Sequence, residues 1–395
     1  MPIEDLPDAR LAAEVADVVR VPRMDPADSM VLHAPLELAA RTALLPLVIP
    51  PERSAARGRL ADLARCYAAF GAGVGAPATV ECMSVAAGAL RLSDAIAAGD
   101  LADVDALSSW LGRVATPDEL RSLLADEVVP RLSAAAHGSI FLYLLPRVSP
   151  RGELTGELVR PLARELARAP ERRLTWYEDR APQAATPGDA LLEAVAATPR
   201  LGVPGSDFIC PLMVQAEESG VATDLLAAPT MSVALADGAR ALLRAAAWSM
   251  LGEPDDFRPY GWSHCLTMPQ AVLGIASACS DPSAALAVAA TYVVGFRAAL
   301  SVEPLATAYA PPDPSTDVTR ALEETPMDAA AAVWHTPSAD LPRAVTALAT
   351  YAATHPDAHL VKYTVACLDA AAWDRTHARV YLAAAGALAG YWAAR

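Results

Sequence analysis

The sequence predicts an all-α fold, a single large multi-helix domain. Three observations carry that expectation. Ala, Leu, Arg and Glu recur from end to end with a spacing of about 3.6 residues, the period of an α-helix. Alternating apolar and polar runs of the strand kind are almost absent. The breaks between periodic segments are short proline clusters rather than long polar linkers. Residues 1–395 therefore read as one helical domain, with two lobes meeting near residue 200 as its one internal division. No repeat with a period of about 20 to 50 residues marks a solenoid.

The elements follow in chain order. Met30-Val-Leu-His33-Ala-Pro-Leu-Glu37 opens an apolar helix, and Ile49-Pro-Pro-Glu52 is a loop. Gly71-Ala-Gly73-Val-Gly75 reads as a helix C-cap. Its spacing is not that of a phosphate loop, no strand precedes it and no Walker lysine follows. Thr116-Pro-Asp-Glu119 supplies an N-cap, a proline at the first helical position and a capping-box glutamate. Ser133-Ala-Ala-Ala-His137-Gly-Ser-Ile-Phe-Leu-Tyr-Leu144 surrounds a histidine with small and apolar side chains. Arg180-Ala-Pro-Gln183, Thr198 to Pro204 and Ala310 to Ser315 are loops, and the acid pairs Glu217-Glu218 and Asp255-Asp256 read as solvated loop charges. Ser283–Phe296 and Val380–Ala394 are alanine-dominated core helices that fall short of a bilayer span of about 18 to 20 residues. Ser338 to Pro342 and Asp357 to His359 are helix starts.

Composition bounds the function. At 54% hydrophobic and 19% charged, the chain can bury a large core, which excludes extended disorder. A net charge of −15, with arginines scattered among acids, argues against nucleic acid and against anionic membrane surfaces. The acidic start Met1-Pro-Ile-Glu-Asp5 has no basic region leading into an apolar run, so no signal peptide is expected. Six cysteines at 66, 82, 210, 265, 279 and 367 form no CxxC pair, which fits reduced thiols and a cytoplasmic location. No GxSxG elbow supports an α/β-hydrolase.

The 31 basic residues are 30 arginines and one lysine, Lys362, and the chain has no asparagine. Drift toward GC-rich codons explains both biases without reference to function. Of the seven histidines, His33, His137 and His264 stand in apolar surroundings, where an imidazole needs a hydrogen bond, a metal or another imidazole. His359 and Lys362 are three residues apart and share a helix face. Burial there would favour a neutral amine over an ammonium; a lysine snorkelling from the helix edge is the plainer alternative. His335, His355 and His377 fall at loops or helix ends and receive no role.

Four segments together resemble the questin oxidase family, whose fungal members open anthraquinone rings. They are Leu32-His33-Ala34-Pro35-Leu36, His137-Gly138-Ser139-Ile140, His264-Cys265-Leu266-Thr267-Met268-Pro269 and His359-Leu-Val-Lys362-Tyr-Thr364-Val-Ala366-Cys367, in family order across positions 33 to 367. The resemblance implies a non-haem Fe(II) site held by His33, His137, His264 and a CO₂-carboxylated Lys362, with His359 and His264 in catalytic roles. It implies an O₂-dependent mono- or dioxygenase acting on an anthraquinone-like aromatic polyketide held in a central buried apolar pocket. No nucleotide motif is present, so NAD(P)H, if used, would act through a separate reductase or an unrecognised binding mode. The oligomeric state is open.

One position departs from the pattern. Relatives carry a second histidine seven residues after the first of the His-Gly segment, and this chain has Leu144. Seven residues is about two helical turns, which places Leu144 beneath His137, with Tyr143 about 100° away. The site then keeps three histidines and the modified lysine or recruits His359, and either the metal has an additional open position or metal binding has decayed. The second case leaves two rivals: a metal-free enzyme using His264 or His359 as general base on a phenol or hydroquinone, and a non-catalytic carrier of aromatic ligands.

Overall fold

The structure, a computed structural model, describes residues 6–24, 29–148, 156–178, 188–206 and 208–395. Side chains of 29–31, 156, 188, 229, 231 and 232 are outside that description. So are Met1 to Asp5 and the loop Arg180 to Gln183.

The fold is all-α and forms a single domain, with no strand among the described residues. The first part holds α1 (Asp8–Val19), α2 (Ser29–Leu44), α3 (Arg53–Ala68), α4 (Val85–Ala98), α5 (Leu101–Val114), α6 (Pro117–Val128), α7 (Gly138–Leu144) and α8 (Val159–Ala167). The middle holds α9 (Gly188–Ala196), α10 (Ile209–Glu218), α11 (Val221–Ser232), α12 (Leu235–Gly252), α13 (Ser263–Ile275) and α14 (Pro282–Leu300). The C-terminal part holds α15 (Val318–Ala321), α16 (Pro326–His335), α17 (Leu341–Thr354), α18 (Ala358–Trp373) and α19 (Ala378–Ala393).

Helix starts carry the chemistry read from the sequence. Thr116 caps α6, its hydroxyl accepting the Glu119 N–H while Glu119 reaches back to the Thr116 N–H, a complete capping box. Asp357 caps α18 by accepting the Leu360 N–H at 2.8 Å. Gly71 follows α3 with a φ of +65°, as a residue ending a helix commonly does. Glu217 and Asp255 depart from the loop reading. Glu217 lies in the last turn of α10 and accepts the backbone N–H groups of Thr175 and Trp176. Asp255 opens a 3₁₀ turn and accepts from Arg258 at 2.9 Å.

The helix around Ser283–Phe296 is longer than its apolar stretch. It runs for 19 residues, long and apolar enough to cross a membrane by length and composition, and 89% of its most apolar window is buried inside this domain. There α14 packs on α10, α11, α12 and α13 as a core helix.

Four helices form a closed ring at the centre. α2 packs on α18, α18 on α13, α13 on α7, and α7 back on α2. Small residues let the C-terminal helices approach closely: α16 lies against α19, where a Cβ added at Gly390 would sit 2.4 Å from the Thr325 carbonyl oxygen. A backbone carbonyl inside a capped turn cannot rotate away as a side chain could. Gly390→Ala is therefore expected to destabilise the protein by about 1–3 kcal/mol in urea unfolding. Gly58→Ala, on a helix face with nothing within 4 Å of the new carbon, should stabilise it by about 0.5–1 kcal/mol.

Candidate metal centre

Each helix of the central ring delivers one or two polar groups to its middle. His33 comes from α2, His137 from the residue that opens α7, His264 from the first turn of α13, and His359 with Lys362 from α18. All five are buried, between 2% and 8% exposed. The ligating nitrogens of His33, His137 and His264 lie within 4.8 Å of one another, a triad that could hold a metal ion. The His359 ring stands edge-on to His33 at 4.4 Å and to His264 at 5.0 Å between centroids.

Irregular backbone aims two of these rings. Ala134, Ala135 and Ala136 have φ of 54°, 47° and 56°, a left-handed turn built from residues that each disfavour it by about 1–2 kcal/mol. The turn brings the Ala135 carbonyl to 2.7 Å from His137 Nδ1. A carbonyl only accepts, so Nδ1 carries the proton and Nε2 presents its lone pair. His264 is set in the same way by a π-helical turn, Arg258–Trp262, whose Tyr260 carbonyl accepts the His264 Nδ1–H. The directions of the two Nε2 lone pairs are therefore fixed by main chain that regular helix would not provide.

The electrostatics are those of a dry site. Burial, followed by the Lys362 charge, holds His33 and His137 well below the usual imidazole range. Burial and then His359 do the same to His264. Burial lowers His359 to about 4 against the pull of Asp357, whose carboxylate stands 3.7 Å from its Nδ1. Burial likewise lowers Lys362 to about 7, opposed by Asp357 and Glu37. At neutral pH the four imidazoles are uncharged and the amine is close to its midpoint.

Within this cluster two buried atoms have no hydrogen-bond partner among the described residues: Lys362 Nζ and His264 Nε2. His33 and His137 meet Nε2 to Nε2 at 3.1 Å. Since His137 Nε2 is the acceptor, the proton between them belongs to His33, and ligation by both would require His33 to release it. The donor set, neutral nitrogens with unshared pairs and an orphaned amine, fits a divalent transition metal.

Several site residues escaped sequence reading. Glu37 and Arg41 continue the His33 face of α2 at steps of four, and Arg41 donates to Glu37 at 2.7 Å. Arg41 also donates at 2.8 Å to the carbonyls of Ala353 and His355, tying α2 to the turn that leads into Asp357 and His359. The signal was a polar stripe at i, i+4, i+8 on an otherwise apolar helix. His335, His355 and His377 lie outside the triad: His335 meets the Pro311 carbonyl, His355 accepts the Asp357 N–H, and His377 faces Asp374.

Of the α7 side chains, Phe141 lines the space beside His137, while Tyr143 donates to Asp369 at 2.9 Å. That space is a seam of about 20 Å³, room for one water-sized molecule. It shares Leu32 and Glu165 with an outer cleft of about 630 Å³. The room for an aromatic ligand thus lies outside the ring of helices, across the left-handed turn from His137. No family model, curated protein or solved structure matches the chain.

The neutral amine has a thermodynamic signature. Between pH 7 and about 10.5 the unfolded chain holds a proton on Lys362 that the folded metal-free chain does not, so stability rises with pH across that window. The histidines act below it, stability falling as pH drops from about 6.5 toward the folded values. Lys362→Met should flatten the pH 7–10.5 rise and stabilise metal-free protein by about 1–3 kcal/mol at pH 7, because an unpartnered polar group leaves the core. Thermal unfolding as a function of pH checks both.

Proposed function

We propose that the chain is an O₂-dependent oxidoreductase of the questin oxidase-like kind, acting on an aromatic substrate by oxygen insertion or ring cleavage. One observation carries the reading: Lys362 Nζ is buried, has no partner among the described residues and shares its site with neutral imidazoles. An amine with no ion pair and a lowered pKa is poised for covalent chemistry rather than for structure. The four segments that resemble the family supply the residues of this one site.

On this reading His33, His137, His264 and carboxylated Lys362 would hold Fe(II). Bound there, iron would supply the O₂ chemistry that no side chain provides. The protein's part is otherwise its own. The neutral Lys362 amine adds to CO₂, forming an N–C bond and giving up one proton, and the product is an anionic oxygen ligand beside nitrogen ones. The Ala135 and Tyr260 carbonyls hold His137 and His264 in the tautomer that leaves Nε2 free. Asp357 orients His359 through Nδ1, which suits the pair to accept a phenolic proton. Leu144 supplies no ligand, so the set is three imidazoles and one carbamate.

Protein purified without chelator and reconstituted anaerobically with Fe(II) should hold about one metal ion per chain. Lys362→Ala should reduce that to less than about a tenth, and a short carboxylate such as acetate should restore part of it by standing in for the carbamate. Wild-type protein that binds no divalent metal, or a Lys362→Ala variant that keeps all of it, overturns the proposal.

A further inference from the structure

Among the described residues the outer cleft adjoins the seam beside His137, has room for a drug-sized ligand, and has polar groups that are not all committed. Its apolar walls include Leu32, Ala134 and Phe208, the last a phenylalanine left 73% exposed at the rim. Ser133, at the start of the left-handed turn, also lines it. Ser133 is only 2% exposed, and its buried hydroxyl has no hydrogen-bond partner among the described residues. A buried hydroxyl without a partner is unusual and points to a ligand that completes it.

The two arginines of the cleft differ. Arg168 is held by Glu165 at 3.0 Å and by the Met24 carbonyl at 3.2 Å, so its charge is matched. Among the described residues Arg172 has only Glu171, at 3.8 Å, with its side chain 58% exposed. Its carbonyl accepts the Leu132 N–H at 2.8 Å, which anchors its backbone beside Ser133. One loosely paired, exposed cation and one unpartnered hydroxyl thus line the same hollow.

We infer that this cleft binds an acidic aromatic ligand, its ring against Leu32 and Phe208 and its carboxylate or phenolate between Arg172 and Ser133. The inference rests on the aromatic-substrate reading above and adds the charge of the substrate and the place where it is recognised. An anion accepting a hydroxyl and a guanidinium hydrogen bond gains charge-assisted contacts that a neutral ring lacks.

Equilibrium dialysis of the full-length chain with anthraquinone-2-carboxylate and with neutral 2-(hydroxymethyl)anthraquinone tests it. The carboxylate should bind about tenfold tighter than the neutral probe. Arg172→Gln should erase that difference while leaving the neutral Kd unchanged, and Ser133→Ala should weaken the carboxylate by about threefold. Equal binding of the two probes by wild-type protein, or a preference that survives Arg172→Gln, overturns the acidic subsite and leaves the metal site standing. Binding of neither probe overturns the subsite together with the aromatic reading beneath it, again without touching the metal measurement.

Discussion

Four imidazoles and a primary amine converge where protein has displaced solvent, and no carboxylate pairs with the amine there. That crowding dictates the rest. Positive charge cannot accumulate among groups that lower one another, so the imidazoles stay neutral and the amine gives up its proton readily, and neutral nitrogen exposes a lone pair. Such a cluster still carries a desolvation cost that its own contacts do not recover. The surrounding helices offset it with tightly apposed alanine and glycine surfaces, as where α19 meets α16.

The ring of α2, α7, α13 and α18 positions the groups, but regular helix alone does not aim them. Irregular backbone appears beside two of the rings, a left-handed turn before His137 and a π turn before His264. In each case the irregularity frees a carbonyl to take the Nδ1 proton. α2 contributes by a different route, through the Glu37–Arg41 pair and the Arg41 clamp on the turn before α18. Local strain near the centre and rigid packing around it are two halves of one arrangement.

Much of this was legible in the sequence. Helical periodicity gave the class, Thr116 and Asp357 marked helix starts, and apolar surroundings singled out the three histidines of the triad. The remainder was hidden for physical reasons. Ala134 to Ala136 is among the most helix-favouring runs in the chain by propensity, and tertiary context forces it left-handed. The Tyr260 carbonyl has no sequence signature, because backbone acceptors are common to all residues. Glu217 was unreadable because its partners, the amides of Thr175 and Trp176, lie about forty residues away in sequence. The location of the large cleft followed from how helices stack, which no motif encodes.

A protein with one lysine, and that lysine at its centre, carries a built-in reporter. Feeding lysine labelled with ¹³C at the ε-carbon would place a single side-chain signal in the whole molecule, with no assignment problem and no competing resonance. That carbon is bonded to the atom whose protonation, carboxylation and surroundings define the site. Codon drift that stripped lysine from the surface has, in effect, produced a silent background for spectroscopy of the interior.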